Sequence, residues 1–275
     1  MRYAALFVCL ALLFIPKISF CDTTEDNLKA ITDTIPQNWW DGGWDKTAQL
    51  QDFINNNPTK PFLCAQAQYY IGCYYYSVAD YDNAIRAYDT VVSAYSSAPS
   101  ECARAEYEIS QIYLNCKHDP RMAITEYSKA ISYNDTLISP MSEVGIGKAY
   151  TDLKDYPQAE AAFKRVIDGY PDALRQKYDA YMGLGYLSMI QSNSSQDKAK
   201  VKEAISYYKK AYQACPVDNS SLLQYTIAKI HESLRLMDNS MGRANRFIKY
   251  QKYGPAGEDG VIGTADDLTD PLAEF

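Results

Sequence analysis

Apolar residues recur along this chain at helical spacing, in paired blocks joined by short polar turns. The block from Gly147 to Pro171 is the plainest. Gly147 and Tyr150 stand three apart and share a helical face; beyond Lys154, Asp155 and Tyr156, the residues Ala159, Phe163, Val166 and Ile167 trace the stripe of a second helix. Pro171 ends it, because proline lacks an amide donor and clashes with the preceding turn. Looser copies flank this block. Gly72 and Tyr75, the turn at Asp80 and Tyr81, then Ala84, Ile85, Tyr88 and Val91 make one. Tyr107 and Tyr113, a turn at Asp119-Pro120 that reads one residue longer, then Ala123, Ile124, Tyr127 and Ala130 make the next. The last has Gly183, Tyr186, Ala204, Ile205, Tyr208, Ala211 and Pro216, with a polar insertion, SNSSQDKAK, at 192–200. The alanine opening each second helix, at 84, 123, 159 and 204, predicts close approach of two antiparallel helices.

A small residue, an aromatic, an alanine, a second aromatic and a closing proline, repeated at a period of about 34 residues, resemble the tetratricopeptide repeat. The resemblance covers Cys64 to Pro216, and a decayed fifth copy runs from Leu222 through Ala228 and His231 to Phe247 and Tyr250. It implies an all-α fold, a right-handed superhelical solenoid of antiparallel helix pairs spanning 63–253, with four clear repeats and one decayed. It also implies a concave face, lined by the first helices, on which a protein or peptide partner lies. Counted from each small residue, the partner-binding candidates are Tyr69, Cys73 and Tyr76, then Arg104, Tyr107, Gln111 and Asn115, then Lys148, Thr151, Lys177, Tyr181 and Leu184. Packing between repeats is the competing role for each tyrosine. The full set of lysines, arginines and asparagines with which some members clamp a terminal carboxylate is absent. The phrases FKRVIDGYP and YDAYMGLGYL are also similar to exported bacterial envelope proteins of this class, among them the lipoprotein of the outer-membrane barrel-assembly machinery and the periplasmic partner of the Tol-Pal system.

The ends of the chain read differently. Arg2 precedes an apolar run from Ala4 to Ile15, which as a helix spans about 18 Å, short of a ~30 Å hydrocarbon core. Residues 1–21 therefore predict an export signal rather than an anchor, and an exported protein, periplasmic or envelope-associated in a bacterium and secreted from a eukaryote. Ile18-Ser19-Phe20-Cys21 resembles a lipobox, with Phe20 departing from the pattern; the chain meets a membrane only if Cys21 is lipidated. Residues 22–62 predict a cap and a degenerate repeat: Leu28, Ile31 and Ile35 suggest a helix ended by Pro36, and Leu50, Phe53 and Ile54 a second. Between them, QNWWDGGW is read as sealing the solenoid's end, with a ligand platform as the alternative. Residues 254–275 hold six acids and no lysine or arginine. Asp259 and Asp266 fit calcium-loop positions five and twelve, with Asp267 beside them, but Pro255 and Gly257 stand at positions one and three, where carboxylates are needed; calcium and a simple acidic turn both stay open.

Composition narrows the classes. At 275 residues and 47% apolar the chain is long enough to bury a sizeable core. Its formal charge is −7, and removing 1–21 leaves 25 cations against 34 acids, which disfavours nucleic acid or an anionic membrane as the main target. Five cysteines beyond residue 21, an odd number without a CxxC pair, argue against zinc or a redox motif. Cys64 and Cys102 hold equivalent places, open to strained pairing or to roles as buried small hydrophobes. His118 falls in a turn and His231 at a packing position, and no nucleophile, Walker or dinucleotide motif is present, so no enzyme is expected. The function these features predict is a non-enzymatic interaction scaffold of the cell envelope, with a calcium-dependent surface or assembly module acting through the acidic tail as the alternative.

Overall fold

Helices form where the apolar periodicity predicts them. The computed structural model describes residues 23–37, 42–192, 197–214, 224–230 and 232–233, and among these it is all helical. The elements are α1 (Thr23–Thr32), α2 (Thr47–Asn56), α3 (Pro61–Ser77), α4 (Tyr81–Ala94), α5 (Pro99–Gln111) continued by a π-helical turn (Ile112–Cys116), α6 (Pro120–Ser132), α7 (Ile138–Asp152), α8 (Tyr156–Gly169), α9 (Leu174–Gln191) and α10 (Lys198–Ala214). Residues 224–230 add a further helical stretch. The export signal with Cys21, the tryptophans at 39 and 40, His231 and the acidic tail with Asp259, Asp266 and Asp267 lie outside the described residues.

The chain divides into two units, 1–98 and 99–275. In the first, α3 and α4 pack as an antiparallel pair and α2 packs on α3. Leu28 of α1, Leu50 and Phe53 of α2, and Leu63, Ala67 and Ile71 of α3 form its core. Trp44 is buried and meets Tyr74 edge-on at 5.5 Å, so this one of the three tryptophans covers the α3 flank. In the second unit, α5 with α6, α7 with α8 and α9 with α10 form successive pairs, while α5 with α7 and α7 with α9 bring first helices side by side.

Local chemistry repeats from pair to pair. An aspartate precedes each of α4, α6 and α8, and its carboxylate accepts the backbone N–H three residues on: Asp80 from Asn83 at 3.2 Å, Asp119 from Met122 at 3.1 Å, Asp155 from Gln158 at 3.3 Å. The residue before each cap takes the left-handed conformation, with φ of 59° at Ala79, 53° at His118 and 61° at Lys154. The three turns therefore have one length. The extra residue that the sequence places in the Asp119-Pro120 turn sits instead in the helix before it. There Lys117 N–H bonds the Ile112 carbonyl at 2.9 Å, and Asp119 N–H reaches back to Tyr113, one residue further than Asp80 to Tyr75 or Asp155 to Tyr150. A π turn absorbs one inserted residue without moving the cap.

Ala84, Ala123, Ala159 and Ala204 are fully buried, as the close approach of paired helices requires. Four residues on, Tyr88, Tyr127, Phe163 and Tyr208 fill the interface and are equally buried. Each ring lies against a residue with no room for a side chain. A Cβ on Gly72 would come within 2.4 Å of Tyr88, one on Gly147 within 2.5 Å of Phe163, and one on Gly185 within 2.4 Å of Tyr208. The small position of the fourth repeat is thus Gly185, not Gly183 as the spacing to Tyr186 suggests. Gly183 faces Phe163 of the preceding repeat, where a Cβ would sit 2.5 Å away, so that one ring is held between glycines of two repeats. Gly145 faces Tyr127 in the same manner.

Candidate inner-face groove

The register fixes which side chains the first helices leave uncovered. In the second unit, three cavities follow one another along the seam between α7 and α9. The first, of about 860 Å³, lies at the amino-terminal ends of the two helices, where Leu137 and Leu174 are 63% and 59% exposed. The second, of about 270 Å³, includes Tyr107 and Gln111 of α5, Val144 and Lys148 of α7, and Arg175 and Asp179 of α9. The third, of about 370 Å³, has Phe163, Met182 and Tyr208 as its floor and Tyr186 and Tyr225 as its walls, with Lys148, Thr151 and Lys229 at the edge. Arg175 and Gln176 belong to the first two cavities, and Lys148 and Asp179 to the last two, so the three adjoin.

The groove changes character along its length. On the α5 side it is polar. Gln111 donates Nε2–H to the Tyr127 hydroxyl at 2.8 Å and accepts from Asn115 Nδ2 at 2.6 Å. Burial pushes the Tyr107 phenol up to about 12, with the charges of Glu108 and Asp179 acting in the same direction. Burial likewise raises Tyr127 and Tyr208, so these phenols are neutral donors and not bases at neutral pH. On the α9 side it is aromatic: Tyr186 and Tyr225 are 54% and 55% exposed, large apolar rings left in water on one patch. The 224–230 stretch that brings Tyr225 is fixed by Thr226 Oγ1, 2.9 Å from the Tyr178 hydroxyl, and by Ile230 in the core with Tyr208. Among the cations here, Arg175 meets Asp179 at 3.3 Å and Lys229 meets Glu232 at 3.0 Å. Lys148 is exposed and makes no ion pair or hydrogen bond among the described residues.

The sequence candidates divide accordingly. Tyr107, Gln111, Lys148 and Thr151 come together on this groove. Asn115 reaches it through Gln111, and Arg104 is held by Glu101 at 3.0 Å one turn away. Lys177 and Tyr181 are not among its lining residues: Lys177 donates to the Pro171 carbonyl at 3.3 Å, and Tyr181 packs in the α8–α9 core. Leu184 is core as well. Both corrections follow from counting the fourth repeat from Gly183; counted from Gly185, the face carries Arg175, Asp179, Met182 and Tyr186, which sequence spacing did not single out. Spacing alone does not choose between the two glycines, since removing the insertion at 192–200 gives Gly183 the usual distance to Ala204; the contact with Tyr208 selects Gly185. In the first unit, Tyr69 is only 5% exposed, packed against Tyr88 at 5.5 Å, and is a core residue; Cys73 is likewise buried. Tyr76 is half-buried against Tyr81 at 5.8 Å.

Cys64, Cys73, Cys102 and Cys116 are thiols and not disulfides, and burial raises the thiol pKa of Cys64 and Cys102, away from reactive thiolate. His118 is exposed in its turn. Among the described residues there is no group of three or more His, Cys, Asp or Glu side chains placed to hold a metal ion, and no helix long and apolar enough to cross a membrane. What the groove offers is a polar half, an aromatic half and an unpaired cation between them, suited to holding a chain segment.

Comparison with known families agrees with the helix pairing. Two tetratricopeptide-repeat family models match the chain, one over residues 66–98 and the other over 144–219. No curated protein matches it.

Proposed function

We propose, from the premise that this chain is a tetratricopeptide-repeat protein and so a protein-interaction module, that it is an exported, non-enzymatic scaffold of a bacterial envelope and that it binds an extended segment of a partner protein on its first-helix face. The three adjoining cavities along the α7–α9 seam carry the reading, because they form one continuous path that passes Leu137, Leu174, Lys148, Tyr186 and Tyr225, side chains that repeat packing leaves exposed. Tyrosine suits such a path: it supplies rigid contact area at low entropic cost. Export is supported by Arg2 and the apolar run behind it, and the mass of the mature amino terminus, with or without an acyl group on Cys21, tests it. The experiment for the face is site-specific photo-crosslinking in native cells. A crosslinking residue at Tyr186 is expected to trap a discrete partner, and one at Lys164 on the second helix α8 is not; trapping from position 164 alone would refute the assignment. Calcium at Asp259, Asp266 and Asp267 is the second reading, resting on composition.

A further inference from the structure

The α7–α9 seam fixes more than the presence of a partner, because its three cavities differ in chemistry and follow in a set order. Exposed Leu137 and Leu174 mark one end, with Asp135 and Asp172 beside them, and exposed Tyr186 and Tyr225 the other, with Asp152 and Lys229; Arg175, Asp179 and Lys148 stand between. In that middle, Arg175 and Asp179 satisfy each other, while Lys148, shared by the two inner cavities, has no counter-ion among the described residues. Among the described residues Lys148 is a groove cation left exposed and without an acid, and a carboxylate of a bound segment is its electrostatic complement. Asp152, one turn beyond Lys148 at the mouth of the aromatic cavity, repels an acid placed further along and so fixes where the carboxylate falls. From these features we infer that the occupant is an extended partner segment reading apolar, acidic, apolar: an aliphatic residue over Leu137 and Leu174, an internal Asp or Glu on Lys148, and an aromatic or large aliphatic anchor between Tyr186 and Tyr225.

Helix geometry sets the spacing. The eleven residues from Leu137 to Lys148 rise about 16 Å, which an extended strand crosses in roughly five residues. The aromatic cavity borders Lys148 directly, so the anchor follows the acid within one or two positions. The acid is internal, and no free terminus of the partner is required. This inference rests on the first-helix face being the binding surface, and the test separates the two.

Random dodecapeptides displayed on phage are selected on the purified full-length chain, then rescreened on variants. Selected peptides are expected to carry an acid one or two positions from an aromatic anchor, with an aliphatic residue about five positions away on the other side. Lys148→Glu is expected to weaken the best acid-bearing peptide at least tenfold and, in a fresh selection, to replace the acid with lysine or arginine. Lys148 is exposed and unpaired, so the variant's thermal melt should match the parent and exclude misfolding. Peptides that lose binding on the Tyr186→Ala, Tyr225→Ala double variant yet show no acid preference, or are indifferent to Lys148→Glu, overturn the charge assignment and leave the face intact. Peptides indifferent to both, or no selection at all, overturn the face together with the inference.

Discussion

The α5–α6 and α9–α10 pairs carry the same scaffold with different additions, and the location of each addition decides which face it alters. The first absorbs one extra residue inside the helix, as the π turn at Ile112–Cys116, and Gln111 then stands beside Tyr127 with its amide bonded to the phenol. The second absorbs seven residues between Gly185 and Ala204, shared by the turn and by the lengthened helix ends beside it, since α10 starts at Lys198, well ahead of Ala204, and keeps a bare Gly185 against Tyr208. An insertion in a helix re-aims side chains on the inner face. The additions of the second pair, in the turn and the helix ends beside it, leave Gly185 and Tyr208 in register. The polar half of the groove belongs to the pair with the helical insertion, the aromatic half to the pair without it.

The largest blow to this symmetry is a side chain at Gly185. Gly185→Val forces two γ carbons into the Tyr208 ring, and overpacking on this scale costs about 3 kcal/mol or more; urea unfolding should show it, and a cost below about 1 kcal/mol would mean the pair can spread. At the other end, Gln111→Leu removes the partner of a buried phenol. An unsatisfied buried hydroxyl costs about 1–3 kcal/mol, read by the same unfolding curves, and Tyr127→Phe in the Gln111→Leu background should recover most of it. The smallest effect sharpens the contrast: adding four Gly-Ser residues between 192 and 197 should cost no more than about 0.6 kcal/mol and leave peptide binding unchanged.

Much of the scaffold was legible because each repeat signal has a single physical reason. Alanines 84, 123, 159 and 204 stand where backbones meet, and Asp80, Asp119 and Asp155 stand where a helix start needs an acceptor. Tyr69 and Cys73 are buried in a pair of clean spacing, because a tyrosine or cysteine on a first helix packs as readily as it lines a face; the other failures come from insertions, which shift register without altering composition. One residue near Asp119 could be assigned to turn or helix, and only the hydrogen bonds from Lys117 and Asp119 place it in the helix. Gly183 and Gly185 both offered a small residue before Ala204, and the aromatic three after Gly183 made the wrong one look right. That choice moved Lys177 and Tyr181 onto the groove and kept Arg175, Asp179 and Met182 off it. Tyr225 and Lys229 arrive from the decayed fifth copy, whose weak pattern gives no register to count from. Lys148, in the cleanly spaced α7–α8 pair, was placed on the groove face directly, and Tyr107, which precedes the π turn, kept its place as well.

Phe163, held between Gly147 of its own pair and Gly183 of the next, turns a structural border into a thermodynamic link. In a linear array, cooperativity depends on how much of each repeat's stability comes from its neighbour. Here the largest fully buried side chain of one pair is completed only when the following pair is folded. The α7–α8 and α9–α10 pairs should therefore melt as one block, and a partner segment lying across their seam would stiffen both at once.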